Sequence, residues 1–253
     1  MAKIFLAVPQ YKKIPQAEID RIKKELNCEQ WESRLQGFHP MFDISISNLL
    51  NTGKHTIGLC HVNGDGNLPR VRSFQGGLWK MEWDTGKKCD YFMIMDEDIS
   101  FEPEAIDLLI EDDKPIVGGI YTFKTNNPFY TGKVCTRFFD GQYGDLSGPF
   151  KVRWLNGGFI LVKAEVLLAM MDRYKDLAFN VSDGSDMGIK EAYALWCPFV
   201  RDRTFLSEDW AFCERARDIG FDIWADWRVK LIHWNGENGY AIHFPEKGES
   251  LCQ

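Results

Sequence analysis

The segment Tyr91-Phe92-Met93-Ile94-Met95-Asp96-Glu97-Asp98-Ile99 constrains the chain more than any other. An apolar run ends in three consecutive acids, and a run this short, bounded this way, reads as a buried strand. Period-two alternation puts Asp96 and Asp98 on the same side of the extended chain, at the strand's carboxyl end. Ligands of open α/β sheets bind outside those ends. Two carboxylates held there repel each other unless a cation sits between them. Hard divalent ions such as Mg²⁺ and Mn²⁺ take oxygen ligands and bridge substrate phosphates. The segment therefore points to a metal–diphosphate site. The competing reading is an acidic turn capping the helix that begins near Pro103.

Strands are expected at residues 3–8, Ile57–Val62, 91–95 and Pro115–Tyr121. Helices are expected between them at Ala17–Leu26, Pro69–Trp83 and Pro103–Glu111. This alternation predicts an α/β fold with a mainly parallel, doubly wound sheet and helices on both faces. The second half is less regular. Arg137–Phe150 reads as a hairpin, Val152–Val162 as a strand around Asn156-Gly157-Gly158, and Ala164–Tyr174 as a helix. Asp176–Phe205 reads as a mobile loop over a site. Ser207–Ile219 is a helix with Ser207 as N-cap, acids in its first turn and Gly220 at its end. Strands follow at Phe221–Trp224 and Arg228–His233. No repeat or linker divides the chain, so 1–253 is read as one domain, with a first half over 1–122 and a second over 123–253.

Composition removes several function classes. A net charge of −7 leaves no global electrostatic footprint for nucleic acid. No apolar run approaches the roughly 20 residues that span a bilayer, and the apolar start is too short for a signal peptide. The seven cysteines include no Cys-x-x-Cys pair, which disfavours zinc and suggests reduced thiols in the cytoplasm. No P-loop and no Gly-x-Gly-x-x-Gly after the first strand appear. Nine tryptophans is a high number; some belong to the core, and others are candidates for stacking on sugar faces.

Three further groups carry chemistry. His233 ends an apolar strand, where an imidazole near a carboxylate could complete a metal shell. The alternative is a structural histidine. Glu208 and Asp209 open a helix, where acids suit the helix dipole. One of them facing a cleft could instead deprotonate an acceptor hydroxyl. Arg70 and Arg72 follow the turn Asn63–Asn67, and either could bind a diphosphate bidentately or lie on a solvated helix start.

The ordered set resembles a family. It runs Ala7-Val8-Pro9, Leu68-Pro69-Arg70-Val71-Arg72, Met95-Asp96-Glu97-Asp98-Ile99-Ser100-Phe101, Val117-Gly118-Gly119-Ile120-Tyr121, Leu155-Asn156-Gly157-Gly158-Phe159, Ser207-Glu208-Asp209-Trp210-Ala211-Phe212-Cys213 and Leu231-Ile232-His233-Trp234. Over roughly residues 3–235 it is similar to GT-A-fold glycosyltransferases, especially the family 2-like ones common in phages and large viruses.

The resemblance implies a GT-A fold, with the first half binding a nucleotide-diphosphate sugar and the second the acceptor, and a divalent metal, Mn²⁺ or Mg²⁺. Asp98 matches the main metal carboxylate, Asp96 the acid on the ribose or metal, and His233 the late metal or diphosphate ligand. Pro9, Arg70 and Arg72 fall on the donor side. Asn156, Gly157 and Gly158 match the acceptor-side loop, where related chains often carry Gly-Thr-Gly. Ser73 stands where an Asn often follows Arg-x-Arg. Asp209 matches the catalytic base of inverting members, with Glu208 beside it. The expected activity is transfer of a hexosyl or pentosyl group to a hydroxyl of a glycan or other acceptor, with DNA disfavoured. The rivals are a sugar-phosphate nucleotidyltransferase and a catalytically silent sugar-binding module. An inverting reaction is expected, with a retaining outcome as the alternative; the stereochemistry, the donor sugar, its base, the acceptor and the oligomeric state are left open.

Overall fold

A computed structural model describes residues 1–10, 14–26, 38–63, 65–126, 134–139, 146–181 and 188–242. The elements in chain order are β1 (Lys3–Gln10), α1 (Gln16–Glu25), α2 (Pro40–Thr52), β2 (Thr56–Asn63), α3 (Leu68–Asp84), β3 (Tyr91–Met95), β4 (Ile99–Phe101) and α4 (Glu104–Glu111). They continue with β5 (Ile116–Gly119), β6 (Phe150–Val152), β7 (Phe159–Lys163), α5 (Ala164–Arg173), β8 (Ala178–Asn180), β9 (Glu191–Tyr193), β10 (Phe199–Arg201) and β11 (Thr204–Leu206). The last are α6 (Glu208–Asp218), β12 (Ile223–Asp226), β13 (Leu231–Asn235) and β14 (Asn238–Ala241).

The central sheet has the order β2-β1-β3-β7-β5-β12-β6. β2, β1 and β3 are parallel, β7 runs against both β3 and β5, β12 is parallel to β5, and β6 is antiparallel to β12. Five of the seven strands therefore share one direction. The sheet is mainly parallel, in a mixed α/β fold, as the alternation predicts.

Its strands are apolar on both sides because both faces are covered. Phe5, Ala7, Phe92, Ile94, Ile160 and Val162 pack with Trp79 of α3, Met170 of α5 and Phe212 of α6. The alternate residues Ile4, Leu6, Val8, Met93, Met95 and Leu161 pack with Phe42, Ile46 and Leu49 of α2 and Ile106 and Leu109 of α4. One period-two pattern thus feeds two cores.

The structure corrects several expectations. Pro9 and Gln10 continue β1 instead of opening a loop. Val152–Val162 is two strands, β6 and β7, separated by a turn through Asn156-Gly157-Gly158. The described part of 176–205 is not a loose loop. It forms the hairpins β8–β9 and β10–β11, and buries Ala192, Leu195 and Trp196. Trp196 stacks on Phe212 with ring centroids 4.8 Å apart. The hairpin expected over Arg137–Phe150 lies partly outside the described residues. Helix α2 has no counterpart in the sequence reading. Its sequence Pro-Met-Phe-Asp-Ile-Ser-Ile-Ser-Asn is rich in poor helix formers, yet seven of its residues are buried, and His39 caps it by accepting the Met41 N–H. Tertiary burial decides its state.

A small second sheet, β14-β13-β4, lies beside the acidic turn. β13 pairs antiparallel with β4 so that His233 faces Ile99. The five described cysteines, Cys60, Cys89, Cys135, Cys197 and Cys213, are free thiols. Among the described residues no helix is long and apolar enough to cross a membrane.

Candidate active site

In the strand order β2-β1-β3, the chain moves from one side of β1 to the other, and the crevice at such a switch point is where α/β sheets take ligands. A cavity of about 420 Å³ opens there. It is lined by Pro9 from β1, Arg72 from α3, the turn Asp96–Asp98, Tyr121 and Lys124 beyond β5, Asn156 and Gly157 before β7, Glu208 and Asp209 of α6, and His233 of β13. A second cavity, of about 400 Å³, lies between α2, β4 and β13; it is mostly apolar and contains none of the expected site residues.

The acidic segment does not continue as a strand. After Met95 the chain turns: the Asp96 N–H donates to the Gly158 carbonyl (3.0 Å) and the Ile99 N–H to the Asp96 carbonyl (3.2 Å). Asp96 and Asp98 both reach the cavity, but their side chains separate. Asp96 is met by Arg72, and Asp98 by His233 and Lys124.

Arg72 is the pivot of one side. It is 2% exposed, and its Nη2 donates to Asp96 Oδ1 and the Gly157 carbonyl while Nη1 donates to Glu208 Oε1, each at 3.2 Å. Burial opposes the guanidinium's charge, but Asp96, Glu208 and Asp209 outweigh burial and hold its pKa above the usual arginine value. Burial pushes both Asp96 and Glu208 above the ordinary carboxylate range even with Arg72 beside them. Their side chains still open on the cavity, at 29% and 20% exposure.

Arg70 is not part of this site. Residues two apart on a helix point about 200° apart. Arg70 faces outward and forms a fork with Asp65, Nε to Oδ2 at 2.7 Å and Nη2 to Oδ1 at 2.8 Å.

The other side is built on His233. Its Nδ1 lies 2.8 Å from the Thr122 carbonyl, an acceptor, so Nδ1 carries the proton and donates. Nε2 then points at Asp98 Oδ1, 3.5 Å away. The ring sits edge-on to Tyr121, with centroids 5.2 Å apart, and the Trp234 N–H donates to the Asp98 carbonyl at 2.8 Å. Burial would raise Asp98, but the hydrogen bond from His233 and the charge of Lys124 prevail and hold it below the usual carboxylate value. Lys124 pairs with the other carboxylate oxygen, Oδ2.

Asp209 lies at the back of the cavity. Its Oδ1 accepts from the Ser207 hydroxyl and from the Trp210 N–H (2.8 Å), and its Oδ2 accepts from the Gly157 N–H (3.2 Å). Ser207 occupies the N-cap position as expected, but its hydroxyl serves Asp209 instead of capping the helix. Asn156 and Gly157 line the cavity, and Asn156 Oδ1 is buried with no hydrogen-bond partner among the described residues. Gly158 has a backbone role: its N–H donates to the Tyr121 hydroxyl at 2.9 Å, and an added Cβ would stand 2.5 Å from Ile99 Cδ1.

Glu97, Tyr121 and Lys124 were not singled out in the sequence. Burial and the neighbouring Asp98 push Glu97 up to about 8. A cation two residues beyond Thr122, past the carboxyl end of a strand, was the available signal for Lys124.

A divalent cation fits part of this set. Asp98 Oδ1 and His233 Nε2 face each other across 3.5 Å, and the Thr122 carbonyl orients the ring as outer-shell acceptors do around metal-bound histidines. Two neighbouring ligands of an octahedral ion with bonds of about 2.1 Å lie roughly 3.0 Å apart, close to the 3.5 Å seen here. Asp96 does not join them, and among the described residues no three His, Cys, Asp or Glu side chains close around one point.

No family model matches the chain, and no curated protein matches it in sequence. Among solved structures it is similar to A197 from STIV, at 14% identity over 96% of this chain and 91% of that one, with a TM-score of 0.50. It also overlaps GalNAc-T7 solved with UDP, GalNAc and Mn²⁺, at 9% identity over 98% of this chain and 46% of that one, with a TM-score of 0.43. At such identities likeness is one of fold alone, and it is with A197 from STIV that the chain shares its α/β architecture.

Proposed function

We propose that the chain is a metal-dependent glycosyltransferase that moves a sugar from a nucleotide-diphosphate sugar to an acceptor hydroxyl. The charge balance of the cavity carries this reading. Asp96, Glu97, Asp98, Glu208 and Asp209 line it against Arg72 and Lys124. Five carboxyl groups face two cationic side chains, so acids outnumber bases at the site. Such a site repels a diphosphate on its own and attracts one through a divalent cation, and Asp98 and His233 offer that cation an oxygen and a nitrogen.

When bound there, Mn²⁺ or Mg²⁺ would stabilise the charge that develops on the departing diphosphate. The protein supplies the rest. Pro9, at the end of β1, and Asp96 border the donor side. Arg72 holds Asp96 and Glu208 apart and fixed. Asn156 and Gly157 border the acceptor side.

Asp209 is placed to take the acceptor proton: Ser207 and the Trp210 N–H fix one oxygen, and the other accepts only the Gly157 N–H among the described groups. Attack of the hydroxyl oxygen on the anomeric carbon from the face opposite the diphosphate, with the bond from that carbon to the diphosphate oxygen breaking and the hydroxyl proton passing to Asp209, would give an inverting reaction. A specific observation favours Glu208 as a second candidate base. Burial raises its proton affinity, and its side chain opens on the cavity.

Release of free sugar from a panel of UDP-, GDP-, ADP- and dTDP-sugars, with and without Mn²⁺, tests the reading without requiring the acceptor. Metal-stimulated hydrolysis of one donor supports it. Binding of a donor without turnover indicates a sugar-binding module, and formation of nucleotide sugar from sugar phosphate and nucleoside triphosphate indicates a nucleotidyltransferase.

A further inference from the structure

The Asp98 carboxylate is divided between two partners. Oδ1 faces Nε2 of His233, and Oδ2 carries the ammonium of Lys124. Both partners depend on one stretch of chain beyond β5: the Thr122 carbonyl orients His233, and Lys124 follows two residues later. The lysine side chain is 42% exposed, so it rests at the cavity mouth and is not packed in place. A lysine ammonium is a compact point charge on a flexible stem and a common phosphate binder.

We propose that Lys124 and a divalent cation are competing partners of Asp98, and that Lys124 passes from Asp98 to the donor's diphosphate when metal and donor bind. The inference rests on the glycosyltransferase reading and adds a residue and an order of events to it. In the donor-free protein the ammonium neutralises Asp98 and opposes entry of a second cation. A diphosphate offers the ammonium a more highly charged partner close by. Its departure frees Oδ2, so metal and donor each favour the other's binding, as linkage requires. Lys124 thereby keeps the acidic turn compensated when the site is empty and adds a positive charge to the leaving group when it is full. No bond is made or broken in this exchange.

Titration of Mn²⁺, followed through the electron paramagnetic resonance signal of the free ion, tests the first half of the exchange with metal alone. Lys124→Gln should bind Mn²⁺ at least about fivefold more tightly than the wild-type protein, and Lys124→Arg should resemble wild type. Calorimetry with UDP and GDP at saturating Mn²⁺ tests the second half: Lys124→Gln should bind the preferred nucleotide about tenfold more weakly. A merely structural lysine would not move the two affinities in opposite directions. Mn²⁺ affinity of Lys124→Gln equal to or below that of wild type, with both above Asp98→Asn, overturns the inference and leaves the metal site standing. Mn²⁺ affinity no greater in wild type and Lys124→Gln than in Asp98→Asn overturns the inference and the metal reading together.

Discussion

Gly157 lies against the guanidinium of Arg72: a β-carbon at position 157 would stand 2.1 Å from Nη1 and 2.4 Å from Cζ. The absence of a side chain lets Arg72 donate to the Gly157 carbonyl and still reach Asp96 and Glu208. Gly157→Ala should displace the guanidinium and leave two carboxylates without their cation. Removing one side of a buried ion pair costs about 3–5 kcal/mol, so urea denaturation should show a loss approaching that range, with at least a tenfold fall in donor hydrolysis. Gly66→Ala, which has open space around it, should change neither. A Gly157→Ala protein as stable and as active as wild type would refute the role given to Arg72.

The two acids of α6 are separable by substitution. Asp209→Asn keeps the size of the side chain and removes the carboxylate proposed as base, and should slow transfer by roughly 10²–10⁴-fold, the usual share of general-base catalysis. Donor and Mn²⁺ affinities should hardly change. If Glu208→Gln shows that loss and Asp209→Asn does not, Glu208 is the base and Asp209 positions the Gly157 turn. Full transfer by both variants would exclude this inverting mechanism.

A second acidic pair, away from the cavity, sets a pH dependence of stability. Asp112 at the end of α4 and Asp226 of β12 share the guanidinium of Arg228, and burial together with Asp226 raises Asp112 to about 6. A raised acid holds a proton in the folded state that the unfolded chain, with a carboxyl near the usual 3.8, has already released. Its contribution therefore destabilises the protein as pH rises from about 4 to 6, and the cost is complete above 6. Asp112→Asn mimics the protonated acid. Its Tm relative to wild type should be higher at pH 8 than at pH 5. A difference that is constant with pH would mean that Asp112 is not the titrating group.

Much of this arrangement was legible in the chain. The run Tyr91–Met95 is legible as a strand because it is short, apolar on both faces and closed by acids. Arg72 and Arg70 could be separated in principle, since helix geometry sends them to different sides. The partners were not legible. Nothing local to His233 specifies that β13 pairs with β4, the register that brings its ring to Asp98. Asp98 and His233 are joined by tertiary pairing across most of the sequence. Lys124 belongs to no regular element, and the sequence that puts it there carries no period. Helix α2 was missed for a related reason: its Ser, Ile and Asn residues are weak helix formers, and the face of the sheet that buries Phe42 and Ile46 is assembled from distant strands.

In the proposed reaction Asp98 couples a divalent ion to cleavage of a nucleotide sugar. The most direct measurement is the rate of donor hydrolysis against Mn²⁺ concentration in wild type and in Asp98→Asn, after removal of metal with EDTA. The rate should vanish with EDTA, return saturably with Mn²⁺ in wild type, and stay at background in Asp98→Asn while its circular dichroism and Tm remain those of a folded protein. Equal hydrolysis by the two proteins, or a wild-type rate indifferent to EDTA, would contradict this role of Asp98.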